Sequence, residues 1–256
     1  MAIEFHEFLC LTDNFGLLAH DADSGATAAL DAPQARPVLA ALAEKGWTLT
    51  DIWLTHHHPD HIGAVPELKA HFPGARVVGA KKDADRLPPL DLSVAEGDLV
   101  RLGRGDAIVF ETPGHTLGHI AYYFEAENVV AVGDTLFSLG CGRVFEGTMA
   151  MMHNSLMRLA GLPGETLVYC GHEYTQANAR FALTVDGNNA LLAERAAEVD
   201  ALRAKGAFTL PTTIALENET NPFLRAANPD LQKFLGMELA DPVEVFTLLR
   251  QRKNQF

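Results

Sequence analysis

The amino-acid sequence predicts an α/β protein that continues into a smaller, purely helical part. Strand-length runs rich in β-branched and aromatic residues alternate with helical patches over the first two-thirds of the 256 residues. From residue 174 onward the sequence becomes alanine-rich and helical in period. The 48% apolar and 21% charged content is typical of a protein that buries a core. We therefore expect two domains, at residues 1–173 and 174–256.

Six strands are predicted in the first part, each bounded by turn residues. They cover residues 50–55, 75–80, 106–112, 119–125, 128–134 and 165–171. The fourth and fifth strands form a predicted hairpin that turns at EAEN. Helical spacing of apolar residues predicts two helices between these strands, at residues 36–46 and 64–72.

Four helices are predicted in the second part. They cover residues 175–186, 190–206, 228–236 and 241–256. Asn228 and Asp241 are suitable N-caps, and each is followed by a proline at the first helical position. Gly206 and Gly236 follow the ends of two of these helices, where glycine is favoured.

Charge and cysteine content exclude several classes of protein. A net charge of −13 argues against a nucleic-acid partner, which would need clustered basic residues. No apolar run is long enough to cross a membrane, and the start MAIEFHEFLC has no basic residue, unlike a signal peptide. Cys10, Cys141 and Cys170 form no C-x-x-C pair and are expected to be buried thiols. We expect a cytoplasmic protein without membrane contact.

The stretch THHHPDH, residues 55–61, concentrates four of the eleven histidines. In an extended segment residues two apart point the same way, so His56 and His58 can bind one metal ion. Pro59 suits the first position of a helix capped by His58, and this helix directs Asp60 and His61 to a neighbouring point. The alternatives are a histidine-rich polar turn and a zincin-like pairing of residues 57 and 61, which Pro59 disfavours. His57 is therefore expected to point away from the metal.

Three further residues that can bind metal follow predicted strands. They are His115, Asp134 and His172. Taken singly, each could equally be an ordinary polar residue or a turn cap. Strand ends, however, present side chains to a common point, and five histidines with two aspartates can hold two metal ions. His119 is expected to support a ligand rather than to bind metal.

Four motifs, THHHPDHIGA, TPGHTLGHI, AVGDTLF and YCGHEYT, resemble the metallo-β-lactamase superfamily over residues 1–173. The resemblance implies an αββα sandwich with a dinuclear metal site at one edge of the sheets. LTDNFGLLAHD, CGRVFEGT, the helical extension and the terminal RQRKNQF are similar to the glyoxalase II family, the hydroxyacylglutathione hydrolases, so that the whole chain is covered. The fold expected is thus this sandwich followed by a smaller C-terminal α-helical domain that binds the glutathione thioester.

The family resemblance also implies roles for individual residues. It implies metal-dependent hydrolysis of S-(2-hydroxyacyl)glutathione thioesters, such as S-D-lactoylglutathione, in methylglyoxal detoxification. Ligands of the first metal would be His56, His58 and His115, and ligands of the second would be Asp60, His61 and His172, with Asp134 bridging. Glutathione would be bound by Arg143, Tyr174, Arg250 and Lys253. A hydroxide shared by two divalent ions would attack the thioester carbonyl, with Asp60 and Asp134 as catalytic residues.

The residues at the far end of the chain support this interpretation independently. Arg250 and Lys253 are three apart on one face of the last predicted helix, where they could receive the carboxylates of a small anionic substrate. The alternative is a solvated basic helix end that complements the helix dipole. Two departures from the family pattern are Phe145, which replaces a common tyrosine, and Arg143, which replaces a common lysine.

Several other functions remain open at this point. Zinc is the favoured metal, and iron and manganese also suit histidine and carboxylate ligands. A lactonase shares these ligands but would not need the terminal basic residues, and a β-lactamase commonly has cysteine in place of Asp134. A superfamily ribonuclease would need a basic surface, and a persulfide dioxygenase lacks the long helical extension. A non-enzymatic metal-binding module is the remaining alternative. The protein is expected to be a monomer or a weak oligomer.

Overall fold

The structure is a computed structural model, and it describes residues 3–256. Its strands are β1 Glu4–Cys10, β2 Asn14–Asp21, β3 Ala26–Leu30, β4 Asp51–Trp53, β5 Arg76–Ala80, β6 Leu92–Val94, β7 Leu99–Leu102, β8 Gly105–Glu111, β9 Ile120–Phe124, β10 Val129–Gly133, β11 Leu136–Phe137, β12 Gly140–Cys141, β13 Leu167–Cys170 and β14 Thr212–Thr213. Its helices are α1 Ala35–Lys45, α2 Pro59–Ile62, α3 Val65–His71, α4 Met149–Ala160, α5 Thr175–Val185, α6 Ala190–Ala204, α7 Ile214–Thr220, α8 Pro229–Leu235 and α9 Pro242–Gln255. Short 3₁₀ helices occur at Lys81–Asp83 and Glu125–Glu127.

The chain divides into two compact units. The first contains the described residues up to Thr112 together with Leu117–Gly133. The second contains Pro113–Thr116 and Asp134–Phe256. These units differ from the predicted domains at 1–173 and 174–256, and that division stays a prediction.

Two layers of β-structure form the core of the first unit. Strands β1 to β6 make one sheet in chain order, antiparallel from β1 to β3 and parallel from β3 to β6. Strands β7 to β10 are successive antiparallel neighbours. Trp53 of β4 lies between the layers, with its ring 5.8 Å from the ring of Phe124 and 5.2 Å from that of Tyr122 on β9. The Tyr122 hydroxyl donates a 3.0 Å hydrogen bond to the Leu54 carbonyl, which joins the two layers.

Helices α1 and α3 cover the opposite face of the first sheet. Val38 and Leu42 of α1 and Leu68 of α3 pack with Ile52 and Val77 of the parallel strands. Because these strands are covered on both faces, their sequences are almost continuously apolar. The first unit therefore has a helix–sheet–sheet arrangement. Because β3 and β4 are parallel neighbours in the first sheet, their carboxyl ends lie beside one another.

The second unit is mostly helical. Leu139 packs between α5 and α6 against Ala182 and Leu192. The rings of Phe181, Phe223 and Phe246 form a second group, at 6.0 and 5.9 Å between centroids. Strand β13 pairs with β14 and is followed by His172, one of the predicted ligands.

Most predicted elements are present with small shifts of their ends. The six predicted strands correspond to β4, β5, β8, β9, β10 and β13, and the predicted helices correspond to α1, α3, α5, α6, α8 and α9. The predicted caps are confirmed, since Asn228 accepts the Leu231 N–H and Asp241 accepts the Val243 N–H. Among residues 3–256, no helix combines the length and apolar character that a bilayer-spanning segment needs.

Candidate metal centre

The first unit supplies His56 and His58 at the end of β4. His58 has an extended backbone, with φ −63° and ψ 143°, and its ring lies beside that of His56. His56 Nε2 lies 3.0 Å from His58 Nδ1, and the two ring centroids are 4.6 Å apart. The His56 ring is fully buried. The structure thus brings together two residues that were predicted to share an ion.

Helix α2 then orients Asp60 and His61. It begins at Pro59 with His58 as its N-cap, as predicted. His61 Nε2 lies 3.7 Å from Asp60 Oδ2, and the His61 ring centroid lies 4.1 Å from that of His56. The turn therefore brings together both predicted ligand pairs of this unit, with His56 and His61 buried and His58 and Asp60 partly exposed.

A buried carboxylate that the sequence analysis did not identify supports this cluster. Asp31 follows β3, and its Oδ1 accepts the Thr55 N–H at 2.8 Å. Its Oδ2 accepts the Thr55 hydroxyl at 2.8 Å and lies 2.8 Å from His61 Nδ1. The Thr55 hydroxyl lies in turn 3.0 Å from His56 Nδ1. A carboxylate on Nδ1 leaves Nε2 as the metal-binding nitrogen, so Asp31 orients His61 directly and His56 through Thr55.

The side chain of His57 pairs with the carboxylate of Asp83, outside the THHHPDH stretch. Its Nδ1 lies 2.9 Å from Asp83 Oδ2, and Arg86 Nη2 donates to Asp83 Oδ1 at 2.5 Å. A Cβ atom at position 118 would lie 2.2 Å from Asp83 Cγ, so only glycine fits there. His119, in the same TPGHTLGHI motif, stacks on His56 at 4.8 Å. His57 therefore pairs with a carboxylate that was not predicted as a ligand, and His119 lies against the ring of a candidate ligand.

The second unit supplies His115, Asp134 and His172, each nearly buried. Asp134 Oδ2 lies 3.5 Å from His115 Nε2 and 3.4 Å from His172 Nε2. His115 Nδ1 faces the Arg143 carbonyl oxygen at 2.8 Å, which turns Nε2 towards Asp134. A single carboxylate oxygen thus stands between histidines from the two predicted ligand sets.

The distances from Asp134 Oδ2 to His115 and His172 fit those between ligands of a metal ion. Two ligands of a tetrahedral ion, each at 2.0–2.1 Å, stand about 3.4 Å apart. The Asp134 separations of 3.4 and 3.5 Å match this value and exceed the 2.7–2.9 Å of a charge-assisted hydrogen bond. The histidine and carboxylate donors are also those that divalent ions such as zinc and iron accept.

Three of the four predicted substrate-binding residues form a basic cluster in the second unit. The cluster consists of Arg143, Arg250 and Lys253. Burial, followed by repulsion from Arg250 and Arg143, lowers the pKa of Lys253 from 10.5 to about 8. Its Nζ donates to the Ala177 carbonyl at 3.2 Å and lies 5.3 Å from the Phe181 ring centroid. Mutual repulsion among the three cations favours the binding of an anion between them.

Arg250 is more deeply buried than a residue reserved for substrate would need to be. Only 3% of it is exposed, and its Nη1 donates to the Cys141 carbonyl at 2.8 Å. Its guanidinium lies over Phe223, 5.3 Å from the ring centroid. Arg250 therefore has a structural partner in addition to the charge that it contributes to the basic cluster.

Aromatic side chains lie against the ligands of the second unit. The Tyr174 ring stacks on His172 at 4.6 Å and 6°. The Phe145 ring lies 5.3 Å from that of His115 and is 62% exposed. Both rings therefore border the ligands and are open to solvent on one side.

Comparison with known proteins defines the class of this fold and site. Residues 22–172 match the family model of the metallo-beta-lactamase superfamily. The crystal structure of ETHE1 from Myxococcus xanthus is 28% identical with a TM-score of 0.67, over 98% of both chains. The crystal structure of TTHA1623 in a di-iron-bound form is 25% identical with a TM-score of 0.61, over 84% of this chain and 98% of that chain. The fold is therefore that of a metallo-β-lactamase.

The second comparison is more specific. Residues 173–256 match the family model described as hydroxyacylglutathione hydrolase C-terminus. A hydroxyacylglutathione hydrolase of Rhodopseudomonas palustris is 54% identical over 255 residues, covering 100% of both chains. The chain belongs to the hydroxyacylglutathione hydrolase family, also called glyoxalase II, of the metallo-β-lactamase superfamily.

Proposed function

We propose that this protein hydrolyses S-(2-hydroxyacyl)glutathione thioesters, S-D-lactoylglutathione among them, to the hydroxy acid and glutathione. Its role would then be the detoxification of methylglyoxal in the cytoplasm. The full-length relative from R. palustris, a hydroxyacylglutathione hydrolase, supports the reaction. The observation that carries the proposal for this chain is the position of Asp134 between His115 and His172, in the unit that also contains the basic cluster.

We propose that seven side chains hold two divalent metal ions. His56, His58 and His115 would bind one, Asp60, His61 and His172 the other, and Asp134 both. Two such ions, when bound, would supply a nucleophile from water at neutral pH and polarise the thioester carbonyl. The di-iron form of TTHA1623 supports a two-metal site. Zinc is our first expectation, with iron and manganese as alternatives.

The protein's own residues have two tasks in this proposal. The basic cluster and the Tyr174 hydroxyl would hold the two carboxylates of glutathione, which the net charge of −13 would otherwise repel. As proposed metal ligands, the carboxylates of Asp60 and Asp134 would hold the two ions in fixed positions relative to the thioester carbonyl. Asn14 supports this, because its amide donates to Asp60 Oδ2 at 3.1 Å. Thiolate is a good leaving group, so no protein acid is needed for its departure.

We further propose a division of labour along the chain. Residues 1–173 would carry the catalytic chemistry and residues 174–256 would carry most of the glutathione contacts. The assignment of Arg250 and Lys253 to substrate is supported by their place in the basic cluster, to which α9 contributes both residues. The partner is a small molecule, without nucleic acid or membrane, and the chain would act as a monomer or a weak oligomer.

The proposed reaction is tested by the loss of thioester absorbance of S-D-lactoylglutathione with purified protein. A thioester without glutathione and a lactone serve as parallel substrates. We expect fast hydrolysis of the glutathione thioester alone. Activity confined to the lactone would overturn the glutathione assignment while leaving the metal site intact.

Asp134→Ala tests the proposed bridging ligand. Removing a carboxylate shared by two ions should abolish most bound metal and lower kcat by a factor of about 100 or more. Metal content is measured by elemental analysis beside the thioester assay. Asp98→Ala, at an exposed turn carboxylate, is the control and should leave both quantities unchanged. Full metal content and full turnover in Asp134→Ala would show that the assignment is wrong.

A further inference from the structure

The β11–β12 hairpin, residues 136–141, lies directly between two residues of the proposed site. Asp134 precedes it, and Arg143 follows it. The Gly142 N–H donates to the Thr135 carbonyl at 3.1 Å, so the two flanks run side by side. The Arg143 carbonyl in turn faces His115 Nδ1. Any shift of the hairpin would therefore move Asp134 and the group that orients His115.

The turn of this hairpin has an unfavourable backbone conformation. Leu139 has a φ of 57°, in the left-handed region that side chains with a Cβ rarely adopt. The residue is nevertheless fully buried. A conformation of this kind persists only where surrounding groups hold it in place.

Side chains from the helical part of the chain supply those groups. Glu217 Oε2 accepts the Leu139 N–H at 2.9 Å. Asn221 Nδ2 donates to the carbonyls of Phe137 and Gly140 at 3.1 and 2.9 Å, and to Glu217 Oε2 at 2.9 Å. Neither Glu217 nor Asn221 is exposed to solvent. Two buried side chains thus bind both strands and the turn of the hairpin.

A buried cation completes this group. The Arg195 guanidinium forms an ion pair with Glu217 Oε1 and donates to the Ser138 hydroxyl at 3.0 Å. It also donates to the Thr212 hydroxyl at 2.8 Å. Buried ion pairs contribute little net stability, but fully bonded ones can select a single arrangement. Outside the helices, this ion pair therefore contacts the hairpin through Ser138 and strand β14 through Thr212.

We propose that Arg195, Glu217 and Asn221 form a positioning cluster that sets Asp134 and the Arg143 carbonyl for metal binding. The inference rests on the proposed two-metal function of Asp134 and His115. The three residues belong to the helical extension and bind no metal themselves. They act through the hairpin, so the extension has a role in metal binding besides its role in glutathione recognition.

Glu217→Gln tests the cluster because it keeps the shape of the side chain and removes its charge. We expect the dissociation constant for Zn²⁺ to rise 10- to 100-fold, the range typical of residues that orient metal ligands. The constant is measured by competition with a chromophoric chelator, and kcat should fall alongside it. A change in thermal stability alone, with the metal dissociation constant within about twofold of the parent, would overturn the proposal.

The matched control is Asp186→Asn, which neutralises another buried ion pair of the second unit. Asp186 Oδ2 lies 2.9 Å from Arg225 Nε, and its other side-chain partner is Asn189. Neither partner belongs to the hairpin. This variant should lose thermal stability but keep the parent's metal dissociation constant. Equal losses of metal affinity in both variants would contradict a specific role of the cluster.

A second variant covers the case in which Glu217→Gln does not fold. Asn221→Ala leaves both buried charges in place and removes the bonds to Phe137 and Gly140, so metal affinity should again fall about tenfold. The metal titration needs no substrate. A parent protein that binds two metal ions but hydrolyses no thioester would overturn the proposed function, while the dissociation constants would still decide the role of the cluster.

Discussion

Asp31 holds two histidines of the candidate metal centre from a single carboxylate. It contacts His61 directly and reaches His56 through the Thr55 hydroxyl. Its backbone φ of 62° lies in the left-handed region, as does that of Leu139. Asp31 thus contacts candidate ligands from such a conformation, and Leu139 adopts one in the hairpin that follows Asp134.

Replacing Asp31 should weaken metal binding. Asp31→Asn replaces one carboxylate oxygen by an NH2 group, which cannot accept a hydrogen bond, so the side chain can no longer accept all three bonds from Thr55 and His61. We expect a 10- to 100-fold higher metal dissociation constant. Asp51→Asn is the control, since Asp51 is also buried and bonded, to Arg76 and Trp53, but not to a candidate ligand. If both variants bind metal as the parent does, Asp31 does not orient the ligands.

Lys253 should make substrate capture depend on pH. Because its pKa is about 8, the Lys253 side chain carries a positive charge below this pH and loses that charge above it. The kcat/KM for a glutathione thioester should therefore fall as the pH rises through about 8, because kcat/KM reports groups of the free enzyme. Lys253→Arg, which stays protonated, should remove this fall. An identical pH profile in the variant would exclude Lys253 as the cause.

At the level of elements, local sequence signals predicted six of the strands between residues 3 and 256, namely β4, β5, β8, β9, β10 and β13, and all α-helices of that range except α4 and α7. Helices α8 and α9 could be predicted from their Asn or Asp caps and the prolines that follow. The hairpin β11–β12 could not be predicted, because its strands have two residues each and are held by side chains 78 to 84 positions away, as the bonds of Asn221 and Glu217 show. Asp31 and Glu217 were not identified either, because their partners are also distant in sequence, whereas the seven candidate ligands lie in short local motifs.

Helix α4 packs against α9 through a histidine whose charge opposes folding. His153 is nearly buried, with its ring 5.6 Å from that of Phe246. Burial lowers the pKa of His153 below 6.5, and Asp241 offsets this in part. The neutral ring is thus favoured in the folded state, so its contribution to stability is present above pH 6.5 and is lost as the pH falls below it.

This linkage can be measured by unfolding the metal-free protein in urea at about pH 7.5 and about pH 5.5. We expect the free energy of unfolding to fall between the two, and His153→Leu to reduce that fall. His71→Leu is the control, at a histidine that is exposed on the surface of α3. An undiminished fall in His153→Leu would show that other groups carry the acid sensitivity.

For the whole molecule, charge and metal occupancy are the properties that matter most. The protein has a net charge of −13, which repels an anionic substrate at long range. The three cations of the basic cluster must therefore attract the substrate at short range. Metal ions bind the folded chain more tightly than the unfolded one and therefore stabilise it.

Removing the metal should lower the melting temperature. At an ion concentration about 100 times the dissociation constant, binding contributes about 2.7 kcal/mol. For a chain of this size that corresponds to roughly 5–10 °C. Chelation followed by dialysis should produce this decrease, and Zn²⁺ should reverse it. Asp134→Ala, treated in the same way, should show little change, and a full decrease in that variant would place the stabilising ion elsewhere.

The placement of the two tryptophans has a practical consequence for spectroscopy. Trp53 is buried between the β-layers, and Trp47 stacks on His20 at 4.3 Å, so both indoles belong to the first unit. Intrinsic tryptophan fluorescence therefore reports on that unit alone, whereas far-ultraviolet circular dichroism is dominated by helices that lie mainly in the second. Coincident melting curves from the two signals would mean that the units unfold together, and separated curves would give each unit its own optical signature.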